Sequence, residues 1–296
     1  MFEGFSDVRV PVGTGVSIHA RVGGSGPPVL LLHGYPQTHA CWHAVAPRLV
    51  AAGFTVVATD LRGYGDSDKP ASTPDHAPYS KRAMAADQVL VMESLGFPRF
   101  ALVGHDRGGR VGCRAALDHG NVVERLAVLD IVPTAAMYQR TDRAFASGYY
   151  HWFFLIQPAP LPERLIEAEP DFFLRHHLEA WGRSGVSVYA QDAVAEYVRC
   201  FRDPRCIAAT CEDYRAAAGI DLEHDAADRH RISVPLLALW GAQGLVGSLY
   251  DVPELWRERA LDVRAQALPG GHFLPEEAPG ATADALIAFL SESDPS

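Results

Sequence analysis

An aspartate provides the strongest chemical signal in the sequence. Asp106 lies in the segment 103–109 (Val-Gly-His-Asp-Arg-Gly-Gly), which is rich in small residues and overlaps the end of the apolar run 100–103. This pattern predicts a tight turn between a strand and a helix, with the Asp106 carboxylate presented at the edge of a sheet. A carboxylate needs no base to act as a nucleophile, so it can attack a saturated carbon and form an ester on the enzyme. The pattern therefore indicates halide displacement or epoxide opening, whereas a serine here would indicate ester hydrolysis.

The base that this chemistry needs is predicted at His272. This residue lies in the segment 269–273 (Pro-Gly-Gly-His-Phe), after the β-type run 263–268. A late histidine after a strand and a glycine turn is the usual partner of a nucleophile on a strand-to-helix turn. The chain contains 13 histidines, so chain order and context, rather than residue type, single out His272.

A second carboxylate is expected to orient the histidine. No acid lies in the segment 241–244 (Gly-Ala-Gln-Gly), which follows one of the later strands. The strand-type run 126–129 ends in Asp130, at the same carboxyl edge of the sheet as Asp106, where sites form in open α/β sheets. We therefore assign the orienting role to Asp130, with Asp251 as the alternative. Asp130 could instead cap a helix or a loop.

Backbone amides are expected to stabilise the negative charge that develops during hydrolysis of the ester. The segment 33–36 (His-Gly-Tyr-Pro) follows a buried strand and should lie near the nucleophile. The amides of Tyr35 and Arg107 would then form an oxyanion hole. His33 is interpreted as a structural loop residue rather than as a base.

Alternating strand and helix patterns predict the scaffold that positions these residues. Runs with β-type or continuous apolar character recur along the chain, at residues 8–12, 16–20, 28–32, 54–59, 100–103, 126–129, 235–240 and 263–268. Helical stretches such as 80–95 and 109–119 lie between several of these runs. The order predicts an α/β fold with a doubly wound, mostly parallel sheet.

The alternation stops in the middle of the chain. Residues 133–229 are helix-like, rich in aromatic residues and without buried-strand runs. We predict that they form a helical cap, or lid, inserted into a core made of residues 1–132 and 230–296, because so long an insertion is usually functional. The alternative is an additional helical layer on the core.

Composition limits the possible functions. The chain has 296 residues, 48% of them hydrophobic, and a formal net charge of -10, which argues against nucleic-acid binding and a basic membrane-binding surface. No signal peptide is visible, and no apolar stretch reaches ~18 residues. The five cysteines form no CxxC pair, which favours reduced thiols in a cytoplasmic protein. No metal-ligand motif is visible either, so we expect neither metal nor cofactor.

Beyond these patterns, the sequence closely resembles the fluoroacetate dehalogenases, which are α/β-hydrolases that hydrolyse 2-haloacids. The resemblance extends over nearly the whole chain. It is carried by segments 33–37, 60–67, 104–110, 129–134, 150–152, 157–160, 213–215 and 268–273. The paired arginines, the His151-Trp152 pair and the later Asp-Tyr-Arg at 213–215 are its most specific features.

The resemblance implies a role for five further side chains. It implies that Arg107 and Arg110 hold the substrate carboxylate, and that His151, Trp152 and Tyr214 surround the departing halide. Two guanidinium groups on one helix face can grip a carboxylate, although either arginine could instead pair with an acidic core residue. The aromatic residues could likewise be ordinary packing in the insertion. The resemblance further implies a haloacid substrate, the α/β-hydrolase fold and a homodimer.

Two other functions are consistent with parts of the pattern. An epoxide hydrolase would use the same Asp-His-Asp chemistry, with Tyr150 and Tyr214 polarising the epoxide oxygen, but two arginines beside the nucleophile argue against a neutral substrate. A non-catalytic receptor on a hydrolase scaffold would not need a complete set of nucleophile, base and orienting acid.

Overall fold

The central feature of the computed structural model, which describes residues 1–13 and 15–292, is an eight-stranded sheet. Its strands are β1 Ser6–Pro11, β2 Ser17–Gly24, β3 Pro28–Leu32, β4 Thr55–Thr59, β5 Phe100–His105, β6 Val123–Leu129, β7 Leu236–Gly241 and β8 Val263–Leu268. Their order is β1-β2-β4-β3-β5-β6-β7-β8. The pairs β1–β2 and β2–β4 are antiparallel, and the five remaining pairs are parallel. The predicted fold class is confirmed.

The parallel strands are buried because helices cover both faces of the sheet. Every residue of β4 and β5 is buried, as the continuous apolar runs predict, whereas β8 at the sheet edge alternates between exposed and half-buried positions. The helices of the core are α1 Ala46–Ala51, α2 Lys81–Ser94, α3 Arg107–Asp118, α12 Leu245–Leu249, α13 Val252–Arg259, α14 Leu274–Glu277 and α15 Pro279–Leu290.

Helix α3 begins two residues earlier than the sequence pattern predicts. Its first turn contains Gly108 and Gly109, which are poor helix formers. A side chain at Gly108 would bring its Cβ within 2.6 Å of the carbonyl oxygens of Leu32 and His33. The close approach of α3 to β3 therefore requires glycine, and this packing outweighs the low helix propensity.

The helical insertion, residues 133–229, lies between β6 and β7 in the chain. It consists of α4 Thr134–Gln139, α5 Arg143–Gly148, α6 His151–Leu155, α7 Leu161–Ala168, α8 Pro170–Trp181, α9 Gln191–Phe201, α10 Pro204–Ala218 and α11 Ile220–Ala227, with a short 3-10 helix at Val186–Val188. The described part of the chain contains no helix that is both long and apolar enough to cross a bilayer. Residues 293–296, at the end of the predicted core, lie outside the described residues.

Candidate active site

Asp106 lies on the turn between β5 and α3, as the sequence predicts. Its backbone has φ 44° and ψ -112°, a region that a non-glycine residue rarely adopts and that is typical of functional sites. Oδ2 of its carboxylate accepts a hydrogen bond from the Tyr35 amide at 3.0 Å. The loop can approach this closely because Gly34 has no side chain; a Cβ there would lie 2.6 Å from the Cβ of Asp106. The carboxylate is thus fixed by backbone contacts on one oxygen.

His272 and Asp130 form a buried pair beside the nucleophile. Nδ1 of His272 lies 2.6 Å from Oδ2 of Asp130, and Oδ1 of Asp130 accepts a hydrogen bond from the Gly241 amide at 3.0 Å. Asp130 directly follows β6 and also has a positive φ, of 52°. With Nδ1 donating to Asp130, Nε2 of His272 is left as the proton acceptor.

The alternative acid, Asp251, has a different local environment. It precedes α13 and its Oδ1 accepts a hydrogen bond from the Glu254 amide at 2.9 Å, so it caps that helix on the protein surface. Asp130 is therefore the acid that the structure brings to His272.

The loop after β3 carries the other predicted residues. The Tyr35 amide already donates to Asp106, and Arg107 is the first residue of α3, so its amide belongs to the first turn, where helix amides have no partner within the helix. His33 is buried, with Nδ1 donating to the Gly34 carbonyl at 2.9 Å and Nε2 accepting from the Leu61 amide at 3.0 Å. Both ring nitrogens of His33 thus have structural partners.

Arg107 and Arg110 have different surroundings although both are buried. Nε and Nη2 of Arg107 donate to the carboxylate of Asp213 at 2.9 and 2.6 Å, and only Nη1 lacks a partner. The guanidinium also lies 4.2 Å from the Tyr214 ring centroid. Most of the hydrogen-bonding capacity of Arg107 is therefore used by Asp213, and among the described residues only Nη1 is left for a further partner.

Arg110 has no ion pair among the described residues. Nη1 donates to the Val132 carbonyl at 3.1 Å and to Thr134 Oγ1 at 2.7 Å, while Nε is buried without a partner. Its guanidinium lies 4.8 Å from the ring of Trp152. Arg110 thus keeps its full charge available to an anion in the cavity.

A cavity of about 250 Å³ brings most of the predicted residues together. It is lined by Asp106, Arg110, Asp130, Met137, Tyr149, His151, Trp152, Trp181, Val246 and His272. Tyr35, Arg107 and Tyr214 lie directly behind this lining; the Tyr214 ring is 5.5 Å from that of His151. The small volume and the aromatic walls are suited to a substrate of a few heavy atoms.

Protonation states follow from burial and from neighbouring charges. Burial alone would raise the pKa of Asp106, but the positive charges of His272, Arg107 and Arg110 hold that pKa below its ordinary value. Burial would lower the pKa of His272, but the hydrogen bond and the charge of Asp130 raise it. Burial and the nearby His177 hold the pKa of His151 well below its ordinary value, so its imidazole is neutral. Asp106 is thus ionised and His151 can donate only as a neutral ring.

Several residues of the site were not identified from the sequence. Tyr149, Trp181, Met137 and Val246 line the cavity, and they come from four separate elements without a common motif. Asp213 was noted only as part of the Asp-Tyr-Arg segment; its role as the partner of Arg107 depends on a contact across 106 positions of sequence. Such contacts carry no local signal.

One group outside the cavity combines residue types that can bind metal. Asp60 accepts hydrogen bonds from Nδ1 of His19 at 2.8 Å and from Nδ1 of His39 at 2.9 Å, one on each carboxylate oxygen. The backbone amides of His39 and Asp66 donate to the same carboxylate. These contacts hold the segment 60–67 in place and use the atoms that would bind an ion.

Comparisons with known proteins agree with this geometry. The family model for the alpha/beta hydrolase fold matches residues 27–279. The chain is 50% identical to a fluoroacetate dehalogenase of Burkholderia sp over 99% of this chain and 96% of that protein. It is 34% identical to a soluble epoxide hydrolase of Corynebacterium sp. (strain C12), with 94% of each chain covered. The crystal structure of ALR0039 from Nostoc sp PCC 7120, assigned to the alpha/beta hydrolases, superposes with a TM-score of 0.97, at 57% identity, over 99% of this chain and 100% of that chain.

The chain therefore belongs to the α/β-hydrolase family, and it is an enzyme of the hydrolase class. Within that family it belongs with the fluoroacetate dehalogenases, as the resemblance of its motifs predicts.

Proposed function

We propose that this enzyme is a hydrolytic dehalogenase that converts haloacetates such as fluoroacetate and chloroacetate to glycolate and halide. The single observation that carries the proposal is the cavity lining, in which an ionised carboxylate, Asp106, lies with a base, His272, and with Arg110, which forms no ion pair with any residue that the structure describes. The carboxylate supplies the nucleophile for a saturated carbon, and the arginine supplies the site for an acid. The similarity to a fluoroacetate dehalogenase supports the same reaction.

In the first step, Arg110 and the free Nη1 of Arg107 hold the substrate carboxylate so that the halogen-bearing carbon faces Asp106. Oδ2 of Asp106 is bound by the Tyr35 amide, which leaves Oδ1 to attack. The new C–O bond forms as the carbon–halogen bond breaks, and the electron pair leaves with the halide. We assign His151, Trp152 and Tyr214 as the donors that stabilise this anion.

In the second step, a water molecule attacks the carbonyl carbon of the Asp106 ester. His272, oriented by Asp130, accepts one proton of that water at Nε2. The negative charge on the carbonyl oxygen is stabilised by the amides of Tyr35 and Arg107. The intermediate collapses with cleavage of the acyl C–O bond, and glycolate leaves with the proton from His272. One proton is released to solvent in each cycle, and no step of this scheme uses a cofactor or a metal ion.

Epoxide hydrolysis is the alternative, since a soluble epoxide hydrolase is among the relatives. The tyrosine pair expected for that reaction is not together in the cavity: Tyr150 is 38% exposed on the surface, and Tyr214 is buried behind the lining. Tyr149 does line the cavity, so the experiment below includes an epoxide.

The deciding experiment is halide release from fluoroacetate and chloroacetate, with a neutral chloroalkane and an epoxide as controls. We expect turnover of the two acids and little of the neutral compounds. Asp106→Asn should abolish halide release, and His272→Asn should accumulate an ester on Asp106, detectable by intact-protein mass spectrometry after substrate addition. Diol formation from the epoxide without halide release from either acid would replace the proposal by its alternative.

The surroundings of the site suggest how the enzyme is organised. We propose that the helical insertion acts as a cap over the cavity, since Trp152, His151 and Trp181 of the insertion form its roof.

We further propose a homodimer in the cytoplasm. The exposed apolar side chains Leu165 and Phe172 of the insertion, 58% and 69% exposed, are the candidate contact surface. Replacing Leu165 with glutamate should shift the protein to a monomer in sedimentation experiments if this surface is the contact.

A further inference from the structure

Glu277, outside the cavity, accepts hydrogen bonds from two residues of the loop that carries the base. It is the last residue of α14, and its carboxylate lies beside the histidine loop, residues 269–273. The Gly271 amide donates to Oε2 at 2.9 Å, and the Phe273 amide donates to Oε1 at 2.9 Å. The residues on both sides of His272 are therefore bound to one side chain.

The same carboxylate also binds the helical insertion. The amides of Arg183 and Ser184 donate to Oε2 of Glu277 at 2.8 and 3.1 Å, and Ser184 Oγ donates at 2.8 Å. These two residues follow Gly182, the C-cap of α8. Glu277 thus joins the histidine loop to the segment that continues from α8.

Direct contacts reinforce this connection. The His272 amide donates to the carbonyl of Trp181, the last residue of α8, at 3.2 Å. A Cβ on Gly271 would lie 2.7 Å from that carbonyl oxygen and 2.8 Å from the Arg183 nitrogen. Glycine at this position is therefore required for the loop and α8 to touch. The ring of Trp181 lines the cavity, so the contact links the roof of the site to the base.

The opposite side of the histidine loop is bound to the core. His105, at the end of β5, donates from Nε2 to the His272 carbonyl at 2.8 Å, and burial lowers the pKa of His105 to about 3, so this ring is neutral. The core thus holds the carbonyl of His272, while its amide and the neighbouring amides are held by Trp181 and Glu277.

We propose that Glu277 is a positioning residue for His272: it ties the histidine loop to the end of α8, so that the base takes its working position when the insertion is seated over the cavity. This inference rests on the proposed function. Asp106 is positioned by β5, α3 and the Tyr35 amide. Among the described residues, the side chain of Glu277 forms no hydrogen bond with any of these. Loss of Glu277 should therefore impair the step that needs His272, hydrolysis of the ester, and spare ester formation.

The test compares Glu277→Ala with wild type and with Glu93→Ala, which removes an exposed glutamate of α2 as a control. Single-turnover reactions with chloroacetate are followed by halide release for the first step and by mass spectrometry of the quenched enzyme for decay of the ester. We expect ester decay to slow by about 10- to 100-fold, since small displacements of a catalytic group have effects of this size. Ester formation should change by less than about threefold. Glu277→Gln keeps one acceptor oxygen and should lie between wild type and Glu277→Ala.

A second substitution tests the contact from its other side. Gly271→Ala should push the loop away from the Trp181 carbonyl and the Arg183 amide and should give the same pattern, with slow ester decay and normal ester formation. An equal loss in both steps, or an unchanged ester decay in Glu277→Ala, would overturn the proposal.

Hydrogen exchange tests the hydrogen bonds between Glu277 and the segment after α8 independently of catalysis. The amides of Arg183 and Ser184 should exchange faster in Glu277→Ala than in Glu93→Ala, because their acceptor is gone. Unchanged exchange would overturn the proposal even if activity fell. His272→Asn distinguishes failure of the proposed function from failure of this inference. If His272→Asn accumulates no ester and wild type releases no halide, the proposed function fails. The exchange result still decides whether Glu277 connects the histidine loop to the end of α8.

Discussion

Replacing Arg107 and Arg110 separately with methionine should produce opposite defects, although the two residues lie three positions apart on α3. Arg107→Met removes the partner of the fully buried carboxylate of Asp213. Breaking a buried ion pair costs about 3–5 kcal/mol. Lys81 and Tyr64 still donate to Asp213, so we expect the lower end of that range. A loss of about 3 kcal/mol is a large part of the 5–15 kcal/mol that stabilises a typical protein.

Arg110→Met should leave the fold largely intact, since Arg110 has no ion pair among the described residues and contacts mainly Val132, Thr134 and Met137. Its loss removes a charge-assisted hydrogen bond to the substrate carboxylate in a buried site. That interaction should contribute about 2–4 kcal/mol to transition-state stabilisation, or roughly 30- to 1,000-fold in kcat/KM for chloroacetate.

The assay pairs urea unfolding, followed by tryptophan fluorescence, with kcat/KM from halide release. Arg48→Met, on the surface of α1, serves as the control for removal of an arginine. A wild-type kcat/KM in Arg110→Met would mean that the substrate carboxylate binds elsewhere. Unfolding of Arg107→Met at the wild-type urea concentration would mean that the pair with Asp213 does not stabilise the fold.

Three further predictions concern other side chains. Trp152→Phe deletes an indole N–H at the cavity. Because a departing fluoride depends more on hydrogen-bond donors than a departing chloride does, kcat/KM should fall more for fluoroacetate than for chloroacetate, by about 1–3 kcal/mol of activation free energy. Equal losses for the two substrates would assign Trp152 to packing. Asp130→Asn should reduce kcat by about 10³–10⁴-fold. Asp251→Ala should instead lower the unfolding free energy by about 0.5–2 kcal/mol and leave kcat unchanged. The reverse result would make Asp251, and not Asp130, the residue that orients His272. Burial raises the pKa of Glu276 to about 8, above its unfolded value of about 4.3, so the contribution of Glu276 to stability should fall as pH rises from about 4 through 8. Glu276→Gln should flatten that dependence in urea titrations, and an unchanged slope would contradict the assignment.

The scaffold could be predicted because its signals are local. Runs of β-type or continuous apolar character indicated all eight strands, and β3 and β8 match the predicted bounds without change. Asp106 and His272 were assigned from local motifs and chain order, and Asp130 from the rule that the carboxyl ends of parallel strands meet at one edge of the sheet. Helix α3 begins two residues before the predicted stretch 109–119, and the packing against β3 that requires glycine at position 108 gives no local signal in the sequence.

Contacts distant in sequence could not be predicted, and they change the assignment of the arginines. The motif presents Arg107 and Arg110 as an equivalent pair, but Asp213 of the insertion binds Arg107 and leaves Arg110 without an ion pair among the described residues. Similarly, the two glutamates 276 and 277 look alike in the sequence. One is buried with a raised pKa, and the other accepts hydrogen bonds from the histidine loop and from the insertion.

The difference between the two arginines bears on which substrates the enzyme can accept. A haloacetate brings a negative charge close to the anionic Asp106, and in a buried site this repulsion must be offset. Because the guanidinium of Arg107 is paired with Asp213, Arg110 is the cation that can turn fully to the substrate, with the N-terminus of α3 contributing favourable potential. A neutral haloalkane would make no charge-assisted contact with Arg110. Selectivity for acids over neutral substrates should therefore depend on Arg110, and Arg110→Met should lose that selectivity as well as its rate on chloroacetate.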